Sequence, residues 1–399
     1  MRVLFINSPL QPGADTQIHL LLLRSLDRRR FELHAAAQPA RRGEPSPAFD
    51  AISAIEGVRV RPTDFGPSLF GRSLRYRVES AARALPAAAS LAGLAAYVRR
   101  HGIQIVHSTD RPRDAMACAA LGLMTGAKSV IHVHVKFDDW MGRGVRWAFA
   151  RADAVVGVSN FVAESLVRGG YRRDRVASVL NAIEPQAFDP SLDPVLGRTS
   201  LGVARDAPFI VSIARLFKWK GHRELVSAVA RVAARIPAVR LAIVGADYPE
   251  GSGVSAELAA HAKTLGVAEN VMFAGHRNDV ASLLAASDVF ALPSYEEPFG
   301  LVFAEAMAMK KPVVAVDNGG TPEVVRHGVT GLLSPPGNIE RLAENLTTLL
   351  VDPALRARMG EAGRRDVEAR FTPSRLAGDV EALYERLLRS TGATRVADR

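Results

Sequence analysis

Short apolar runs rich in valine and isoleucine alternate with longer amphipathic segments along almost the whole chain. The runs are continuous, as expected of strands that are buried on both faces of a sheet. Between them, apolar residues recur at helical spacing, as in Leu225, Val229 and Val232. This alternation predicts parallel sheets covered by helices. The predicted strands are Val3–Ile6, Ile103–Val106, Ser129–Val135, Ala154–Val158, Val176–Leu180, Phe209–Ile213, Leu241–Val244, Val271–Ala274, Val289–Leu292 and Val313–Val316.

The alternation is interrupted between Pro185 and Pro208, where prolines lie among aspartates and serines. Such a composition predicts an interdomain linker. A chain of 399 residues is also too long for one ordinary core. We therefore predict an N-terminal α/β domain over residues 1–190, a linker over 191–207, a second α/β domain over 208–370 and a C-terminal helix over 371–390.

The composition restricts the partners and the compartment. The net charge is +10, which favours polyanions such as anionic lipid or phosphorylated ligands. The arginines are scattered and form no dense basic block, so solvated faces are favoured over a nucleic-acid interface. The single cysteine, Cys118, excludes an internal disulfide and a Cys-rich zinc site, and a reducing cytoplasm is the simplest compartment. The first apolar run ends at Asn7, too short for a signal peptide or a membrane span, which predicts a soluble or peripherally bound protein.

Two cations follow the predicted strand Phe209–Ile213. Arg215 and Lys220 lie in a loop that leads into the next helix. Ligands of parallel sheets bind beyond the carboxyl ends of the strands, and cations beside a helix N-terminus suit a diphosphate. Taken alone, the two residues are better explained as solvated loop charges.

Two glutamates follow the predicted strand Val289–Leu292. Glu297 lies in the loop and Glu305 on a helix predicted to start near Gly300. Carboxylates accept hydrogen bonds from sugar hydroxyls, and N–H groups at a helix start can meet phosphate oxygens. An ordinary acidic surface loop before a helix is the alternative.

A glycine pair, Gly319-Gly320, follows the predicted strand Val313–Val316. Glycines allow a backbone to approach a ligand closely. A plain tight turn explains the pair equally well.

In their order, these motifs resemble the C-terminal half of the retaining glycosyltransferases of family 4. The first half resembles that family through Ala152-Asp153-Ala154-Val155 before Ser159, and through Asn181-Ala182-Ile183-Glu184. The resemblance implies the GT-B fold, in which two Rossmann-like domains with parallel sheets face each other across a cleft, and a last helix, here 371–388, crosses back to the N-terminal domain. The matching residues of the second half are Arg215, Lys220-Gly221, Gly245, Phe273-Ala274-Gly275, Pro293-Ser294, Glu297, Glu305-Ala306-Met307 and Gly319-Gly320.

The resemblance also implies roles in binding a nucleotide-sugar donor. Arg215 and Lys220 would bind the diphosphate, Glu297 the hydroxyls of the transferred sugar and Glu305 the ribose. Two backbone segments complete the predicted donor site. Phe299, Gly300 and Leu301 would cradle phosphate, and Gly275, His276 and Arg277 would border the base.

The first half supplies the acceptor side and one further catalytic candidate. The family usually has two adjacent glycines followed by a glutamate after the first strand, and this chain has Gly13-Ala14 and Thr16 there; Gly13 is retained as a donor-binding candidate. His134, near the end of its strand, matches the family's histidine near the anomeric carbon. His132 lies on the same side of that strand and is interpreted as a core residue. The predicted catalytic set is His134, Arg215, Lys220 and Glu297.

The resemblance implies transfer of a hexose-type sugar from a nucleotide diphosphate, UDP rather than GDP, with no metal and no cofactor. The departing diphosphate would accept the acceptor's proton on the face it leaves. The acceptor would be a glycan, a lipid-linked molecule or a small molecule. A GT-B epimerase or phosphorylase, and a silent module that only binds sugar nucleotides, are the alternatives, because fold alone does not settle function.

One segment suggests contact with an anionic membrane. Residues 72–100 combine arginines with apolar helical stretches, and Lys136–Arg146 adds Phe137, Trp140 and Met141 beside basic residues. Basic residues interleaved with large apolar ones suit an anionic bilayer surface. The alternative is that these helices cover the first sheet and that their arginines are exposed to solvent. The arginines of the first segment are Arg72, Arg75, Arg77, Arg83, Arg99 and Arg100.

Overall fold

The structure is a computed structural model that describes residues 1–41, 43–66, 84–138 and 141–397. The chain forms two compact units. Unit 1 comprises Met1–Asn181 and Pro373–Arg399, and unit 2 comprises Ala182–Thr372. In each unit, parallel strands form one sheet, and helices follow the strands as the alternating sequence pattern predicts.

Unit 1 contains a seven-stranded parallel sheet in the order β3-β2-β1-β4-β5-β6-β7. Its strands are β1 Arg2–Asn7, β2 Glu32–Ala37, β3 Val58–Pro62, β4 Ile105–Thr109, β5 Lys128–Val133, β6 Ala154–Gly157 and β7 Val176–Ser178. Its helices are α1 Ala14–Ser25, α2 Pro47–Ser53, α3 Ala84–Arg100, α4 Pro112–Thr125, α5 Arg143–Arg151, α6 Asn160–Arg168 and, at the end of the chain, α15 Pro373–Ala397.

Unit 2 contains a six-stranded parallel sheet in the order β10-β9-β8-β11-β12-β13. Its strands are β8 Phe209–Ile213, β9 Arg240–Val244, β10 Val271–Gly275, β11 Val289–Leu292, β12 Val313–Val316 and β13 Gly331–Ser334. Its helices are α7 Pro194–Ser200, α8 His222–Ala233, α9 Val254–Thr264, α10 Val280–Ala286, α11 Leu301–Ala308, α12 Thr321–Val324, α13 Ile339–Val351 and α14 Pro353–Arg370.

Every predicted strand has a counterpart in these sheets, but the pattern missed β2, β3 and β13. The β2 sequence, ELHAAA, is rich in alanine, a weak strand former. The β3 sequence, VRVRP, alternates because its strand is at a sheet edge. The third strand, β13, has only four residues. An alanine-rich sequence in β2 and an alternating edge sequence in β3 therefore hid these strands from a search for continuous apolar runs.

The stretch predicted as a linker, 191–207, is structured and belongs to unit 2. Its helix α7 buries Gly197 and Arg198. A Cβ on Gly197 would lie 2.5 Å from the carbonyl oxygen of Ser282, so this helix packs directly on α10. The boundary between the units lies at Asn181–Ala182, before the predicted linker. Proline suits the first position of a helix, so the prolines of this stretch do not prevent a short helix from starting at Pro194.

The terminal helix α15 packs against the sheet of unit 1. Tyr384 is fully buried and its hydroxyl is hydrogen-bonded to Nδ1 of His107 on β4. Near the surface, Arg30 pairs with Glu381 at 2.7 Å. Arg375 donates to the carbonyl oxygens of Leu180 and Asn181 at 2.7 and 2.8 Å. The last segment of the sequence thus completes the first folding unit.

The order of the strands reverses once in each sheet. In unit 1, β1 lies between β2 and β4, and in unit 2, β8 lies between β9 and β11. At such a switch point the connections leave in opposite directions and open a crevice at the carboxyl ends of the strands. Residues that follow β1 and β4, and those that follow β8 and β11, are therefore placed to bind ligands.

Four histidines meet inside unit 1 beside Phe5. The ring centroids of His19 and His107 lie 5.2 Å apart, those of His107 and His132 5.6 Å, and those of His132 and His134 4.8 Å. Burial lowers the pKa of His19 to about 3 and that of His134 to about 4, and it holds the pKa values of His107 and His132 well below their usual range. This histidine cluster is therefore neutral at physiological pH.

We expect acid to destabilise the chain through this cluster. A histidine with a lowered folded pKa contributes its full stability above about 6.5, and loses it as the pH falls towards the folded value, at up to about 1.4 kcal/mol per pH unit. His132→Leu should therefore move the midpoint of acid unfolding to lower pH, measured by circular dichroism. His276→Leu, at an exposed position, is the matched control. Equal midpoints in the wild type and His132→Leu would contradict the assignment.

Candidate functional site

Two loops touch at the switch point of unit 2, one following β8 and the other following β11. Gly221 adopts a left-handed backbone with φ 72°, and a Cβ there would lie 2.0 Å from the carbonyl oxygen of Pro293. Beside this contact, the backbone N–H of Tyr295 donates to the carbonyl oxygen of Trp219 at 2.9 Å. Only glycine fits both the dihedral angle and the space at Gly221, so this residue fixes how closely the loops approach.

The approach brings together Lys220 and Glu297, which are 77 positions apart in the sequence. The Lys220 Nζ lies 2.6 Å from Glu297 Oε2, and the two side chains are only 12% and 10% exposed. An ion pair with so little solvent is much less screened than a surface pair. The sequence assigned these residues to adjacent parts of one donor, the diphosphate and the sugar, and the structure places them in direct contact.

Three aromatic side chains support the cations. The Arg215 guanidinium lies over the rings of Tyr248 and Phe217, 4.6 and 5.2 Å from their centroids. Lys220 Nζ lies 4.4 Å from the centroid of Trp219, which itself stacks on Phe217 at 5.3 Å. Stacking on aromatic faces holds both cations at the same aromatic cluster. The sequence analysis missed this support, although aromatic residues interleave with the cations of the loop.

The start of α11 is held rigidly. Gly300 has φ 82°, and a Cβ on it would lie 2.4 Å from the ring of Phe303. Phe299 is 2% exposed and meets the edge of Phe371, with centroids 5.5 Å apart. None of the described side chains caps this helix, so the backbone N–H groups of Leu301 and Val302 keep their capacity for an anion, whereas that of Phe303 donates to the carbonyl oxygen of Gly300 at 3.0 Å.

Glu305 lies on α11, one turn after Leu301, and is partly buried. Burial raises the pKa of its carboxyl to about 7. The described residues make no hydrogen bond or ion pair with this carboxyl that would offset its desolvation. An unsatisfied carboxyl of this kind is placed to accept hydrogen bonds from a polyol.

The glycine pair Gly319-Gly320 does not line an open surface. A Cβ on Gly320 would lie 2.3 Å from the carbonyl oxygen of Pro298, and one on Gly319 would lie 2.8 Å from the backbone of Glu296. The backbone N–H of Gly320 also donates to the carbonyl oxygen of Glu297 at 2.7 Å. The pair therefore packs on the loop that carries Glu297 and fixes its backbone.

The segment of Gly275, His276 and Arg277 lies at the carboxyl end of β10, two strands from β8. At about 4.8 Å between strands, this is roughly 10 Å from the switch point. Arg277 is engaged by Asp279 at 2.8 and 2.6 Å, whereas His276 is exposed. One strand, β9, thus lies between this segment's strand and the strand that precedes Lys220.

In unit 1, His134 follows β5 directly and is partly exposed, at one end of the histidine cluster. Gly13 caps α1, where a Cβ would lie 2.9 Å from Nη2 of Arg111 and 2.7 Å from Oδ1 of Asp15. Arg111 and Asp15 form a two-pronged ion pair. Although burial opposes ionisation, Arg111 holds the pKa of Asp15 at about 2.

Asp110, which the sequence analysis did not single out, lies at the end of β4. Burial and, next, the Asp15 carboxylate raise the pKa of Asp110 to about 7. Asp110 and His134 interact through the His134 backbone N–H, which partly opposes that rise. The sequence offered no signal for Asp110 beyond its place after a strand, because the chain carries many similar aspartates.

Comparisons with known proteins agree with this arrangement. Residues 198–366 match the family described as "Glycosyl transferases group 1", and residues 18–187 match "Glycosyltransferase Family 4". The chain has 23% identity and a TM-score of 0.78 to Anabaena Alr3699/HepE in complex with UDP and glucose, covering 97% of this chain and all of that one. This likeness confirms the predicted GT-B fold.

Two curated relatives are more similar in sequence. N-acetyl-alpha-D-glucosaminyl L-malate synthase of Bacillus anthracis is 30% identical over 63% of this chain and 64% of its own length. The GDP-mannose-dependent monoacylated alpha-(1-6)-phosphatidylinositol monomannoside mannosyltransferase of Corynebacterium glutamicum is 30% identical over 64% of this chain and 71% of its own length. The chain spans about half to two thirds of the length of several other curated relatives. These matches, which cover both units, show that the chain belongs to the group 1 glycosyltransferases of family 4.

Proposed function

We propose that this chain is a retaining glycosyltransferase that moves a hexose-type sugar from a nucleotide-diphosphate donor to an acceptor hydroxyl. The observation that carries the proposal is the buried contact between Lys220 and Glu297 at the switch point of unit 2. A donor presents a diphosphate and a sugar side by side, and this site presents a cation and a carboxylate side by side. Arg215 supplies the second cation for the diphosphate.

Without a donor, Glu297 compensates the charge of Lys220. A donor diphosphate competes for the Lys220 ammonium, which releases Glu297 to accept hydroxyls of the sugar. Negative charge on the diphosphate grows as the glycosidic bond breaks, so both cations stabilise the transition state more than the ground state. The departing phosphate then accepts the acceptor's proton on the same face, and no metal is required.

His134 acts as a neutral hydrogen-bonding group in this proposal. Burial lowers its pKa to about 4, so a proton-carrying imidazolium is not available at neutral pH. A neutral ring nitrogen can still orient a hydroxyl near the reacting carbon. Phosphate binding is assigned to Gly13 and to the N–H groups of Phe299, Gly300 and Leu301, and the base is assigned to the strand end at Gly275, His276 and Arg277.

The relatives support the reaction class but differ in donor. One solved structure holds UDP and glucose, and one curated relative is named for GDP-mannose. We propose UDP for this chain, and nucleotide release from UDP-glucose and GDP-mannose, measured in parallel, distinguishes the two. A phosphorylase would instead consume free phosphate and release no nucleotide.

The proposed acceptor is a glycan, a lipid-linked molecule or a small molecule, and unit 1 is proposed to touch an anionic membrane peripherally. Two helices that pack on each other expose large apolar side chains, Leu123 and Met124 on α4 and Trp147 on α5. Basic residues, among them Arg143 and Arg151, share α5 with Trp147. None of the helices within the described ranges is long and apolar enough to cross a bilayer. Arg72, Arg75, Arg77, Arg83 and Trp140 lie outside the described residues.

Lys220→Ala should lower kcat about 30- to 1000-fold, since it removes a charge-assisted contact worth about 2–4 kcal/mol in the transition state. The measurement is nucleotide release at saturating donor. Lys218→Ala, in the same loop but 77% exposed, is the matched control and should retain activity.

Lys220→Ala also leaves the Glu297 carboxylate buried without its partner, which destabilises the fold. The double variant Lys220→Ala/Glu297→Gln removes that charge, and should recover the melting temperature without recovering turnover. Near-normal turnover in a folded Lys220→Ala protein would contradict the proposal. Donor binding without any turnover in the wild type would instead favour a silent binding module.

Glu305→Gln should weaken the binding of free nucleotide diphosphate, whereas Glu297→Gln should spare that binding and impair turnover. Because the carboxylate form of Glu305 accepts ribose hydroxyls, wild-type affinity should fall as the pH drops below about 7. Glu305→Gln should keep only the dependence that comes from protonation of the ligand's terminal phosphate, whose second pKa is about 6. Calorimetric titration from pH 5.5 to 8.5 measures both effects. Equal losses of affinity in the two variants would show that the division of roles is wrong.

His134→Asn should lower kcat about five- to tenfold through the loss of one hydrogen bond, worth about 1–1.4 kcal/mol, and should leave nucleotide affinity unchanged. Since the pKa of His134 is about 4, its titration should add no inflection near pH 6.5 to the wild-type rate profile. Full activity in His134→Asn would remove this residue from the mechanism.

A further inference from the structure

Two arginines share one carbonyl oxygen at the switch point of unit 1. Arg41 Nη1 donates to the carbonyl oxygen of Gly66 at 2.8 Å, and Arg113 Nη1 donates to the same oxygen at 2.9 Å. The two Nη1 atoms therefore lie no farther apart than the sum of these two distances. Arg113 is fixed further by Nη2, which donates to the carbonyl oxygen of Ser8 at 3.1 Å. Like charges are thus held close together by backbone oxygens.

Among the described residues, the carboxylates of Asp64 and Asp114 compensate the charge of this pair in part. Asp64 lies 3.9 Å from Arg41 and is half exposed, so solvent screens the contact. Asp114 is buried, and its oxygens accept from the N–H of Ser8 at 3.0 Å and from the hydroxyl of Thr109 at 3.2 Å. Burial also raises the pKa of Asp114 to about 6, which reduces its ionised fraction towards mildly acidic pH.

The charge of Arg113 is correspondingly disfavoured. Burial lowers the pKa of Arg113 most, Asp114 and Asp64 raise it, and Arg41 and Arg111 lower it. Arg111 is already occupied by its two-pronged pair with Asp15. An additional anion would therefore be taken by Arg41 and Arg113.

Counting only contacts among the described residues, the pair has N–H donors without an acceptor, and it lies at a suitable position. A guanidinium carries five N–H groups. Arg41 uses one of them to donate to Gly66, and Arg113 uses two, one to Gly66 and one to Ser8. Ser8 follows β1, and Arg113 lies in the first turn of α4 after β4, the two strands that flank the switch point. Ligands of parallel sheets bind at this place. The planar fork of an arginine matches the oxygens of a phosphate or a carboxylate.

We propose that Arg41 and Arg113 bind an anionic group, a phosphate or a carboxylate, that the acceptor carries beside its reacting hydroxyl. The acceptor is then an anionic polyol and not a neutral sugar. This inference rests on the proposed function, because it assigns the acceptor to unit 1 of a glycosyltransferase. The anion is either part of a soluble metabolite or the headgroup of a phospholipid, and both present the same oxygens to the arginines.

The first experiment separates this inference from the proposed function. Binding of glycerol 3-phosphate and of glycerol is measured by calorimetry in the Lys220→Ala/Glu297→Gln background, where the proposed phosphate site of unit 2 is weakened. Nucleotide binding and release are measured separately on the wild type. Failure of the nucleotide assays would overturn the proposed function, whereas the glycerol 3-phosphate titration tests the arginine pair directly.

Three substitutions in that background test the pair. Arg41→Gln and Arg113→Gln should each weaken glycerol 3-phosphate binding at least about tenfold, and Arg113→Lys should fall between Arg113→Gln and the unsubstituted background protein. Arg172→Gln is the matched control in unit 1, because Arg172 is 67% exposed and pairs with Asp174 at 2.6 Å on the surface. Arg41→Gln removes one backbone hydrogen bond and Arg113→Gln two, so Arg41→Gln keeps the test valid if Arg113→Gln unfolds.

We expect the background protein to bind glycerol 3-phosphate more tightly than glycerol. The Arg41 and Arg113 variants should lose this preference, and Arg172→Gln should keep it. Absence of that preference at millimolar concentration, or equal affinity in all variants, would overturn the inference. Co-sedimentation with phosphatidylcholine vesicles, with and without phosphatidylinositol, identifies the source. Vesicle binding that requires phosphatidylinositol and Arg41 assigns the anion to a lipid headgroup, and soluble binding alone assigns it to a metabolite.

Discussion

The contact between the backbone at Gly221 and the carbonyl oxygen of Pro293 is the constraint on which the pairing of Lys220 with Glu297 depends. No residue with a Cβ fits there, so the loops after β8 and β11 touch at van der Waals distance. That approach buries Lys220 against Glu297. Gly320 packs just as closely on the loop after β11, because a Cβ there would meet the carbonyl oxygen of Pro298. The contact between Lys220 and Glu297 therefore depends on glycines, which have no side chain to keep the backbones apart.

The same topology carries different electrostatics in the two units. At the switch point of unit 2, Arg215 and Lys220 lie over aromatic rings, and Glu297 balances the charge of Lys220. At the switch point of unit 1, Arg111 is paired with Asp15, whereas Arg41 and Arg113 both donate to the carbonyl oxygen of Gly66. A parallel sheet provides the crevice, and the residues after each strand decide what enters it.

Burial favours the uncharged form of several ionisable side chains in both units. It lowers the pKa values of the histidine cluster and raises those of Asp110 and Glu305 to about 7. Hydrogen bonding at these groups near neutral pH then depends on modest changes in environment, such as the arrival of a ligand. Asp15 differs from these groups, because Arg111 keeps its carboxylate ionised.

The sequence by itself determined the alternation of strands and helices, the parallel sheets and the ordered motifs from Arg215 to Gly320, because buried strands and strand-end loops leave local patterns. It did not reveal β2 or β3, whose alanine-rich or alternating sequences lack the continuous apolar signal, and it mistook a proline-rich helical stretch for a linker. Only the tertiary structure decided that Lys220 meets Glu297 and that Arg41 and Arg113 share the oxygen of Gly66. Such contacts join residues far apart in the chain, and their distances are set by how strand-end loops pack, which no local pattern records.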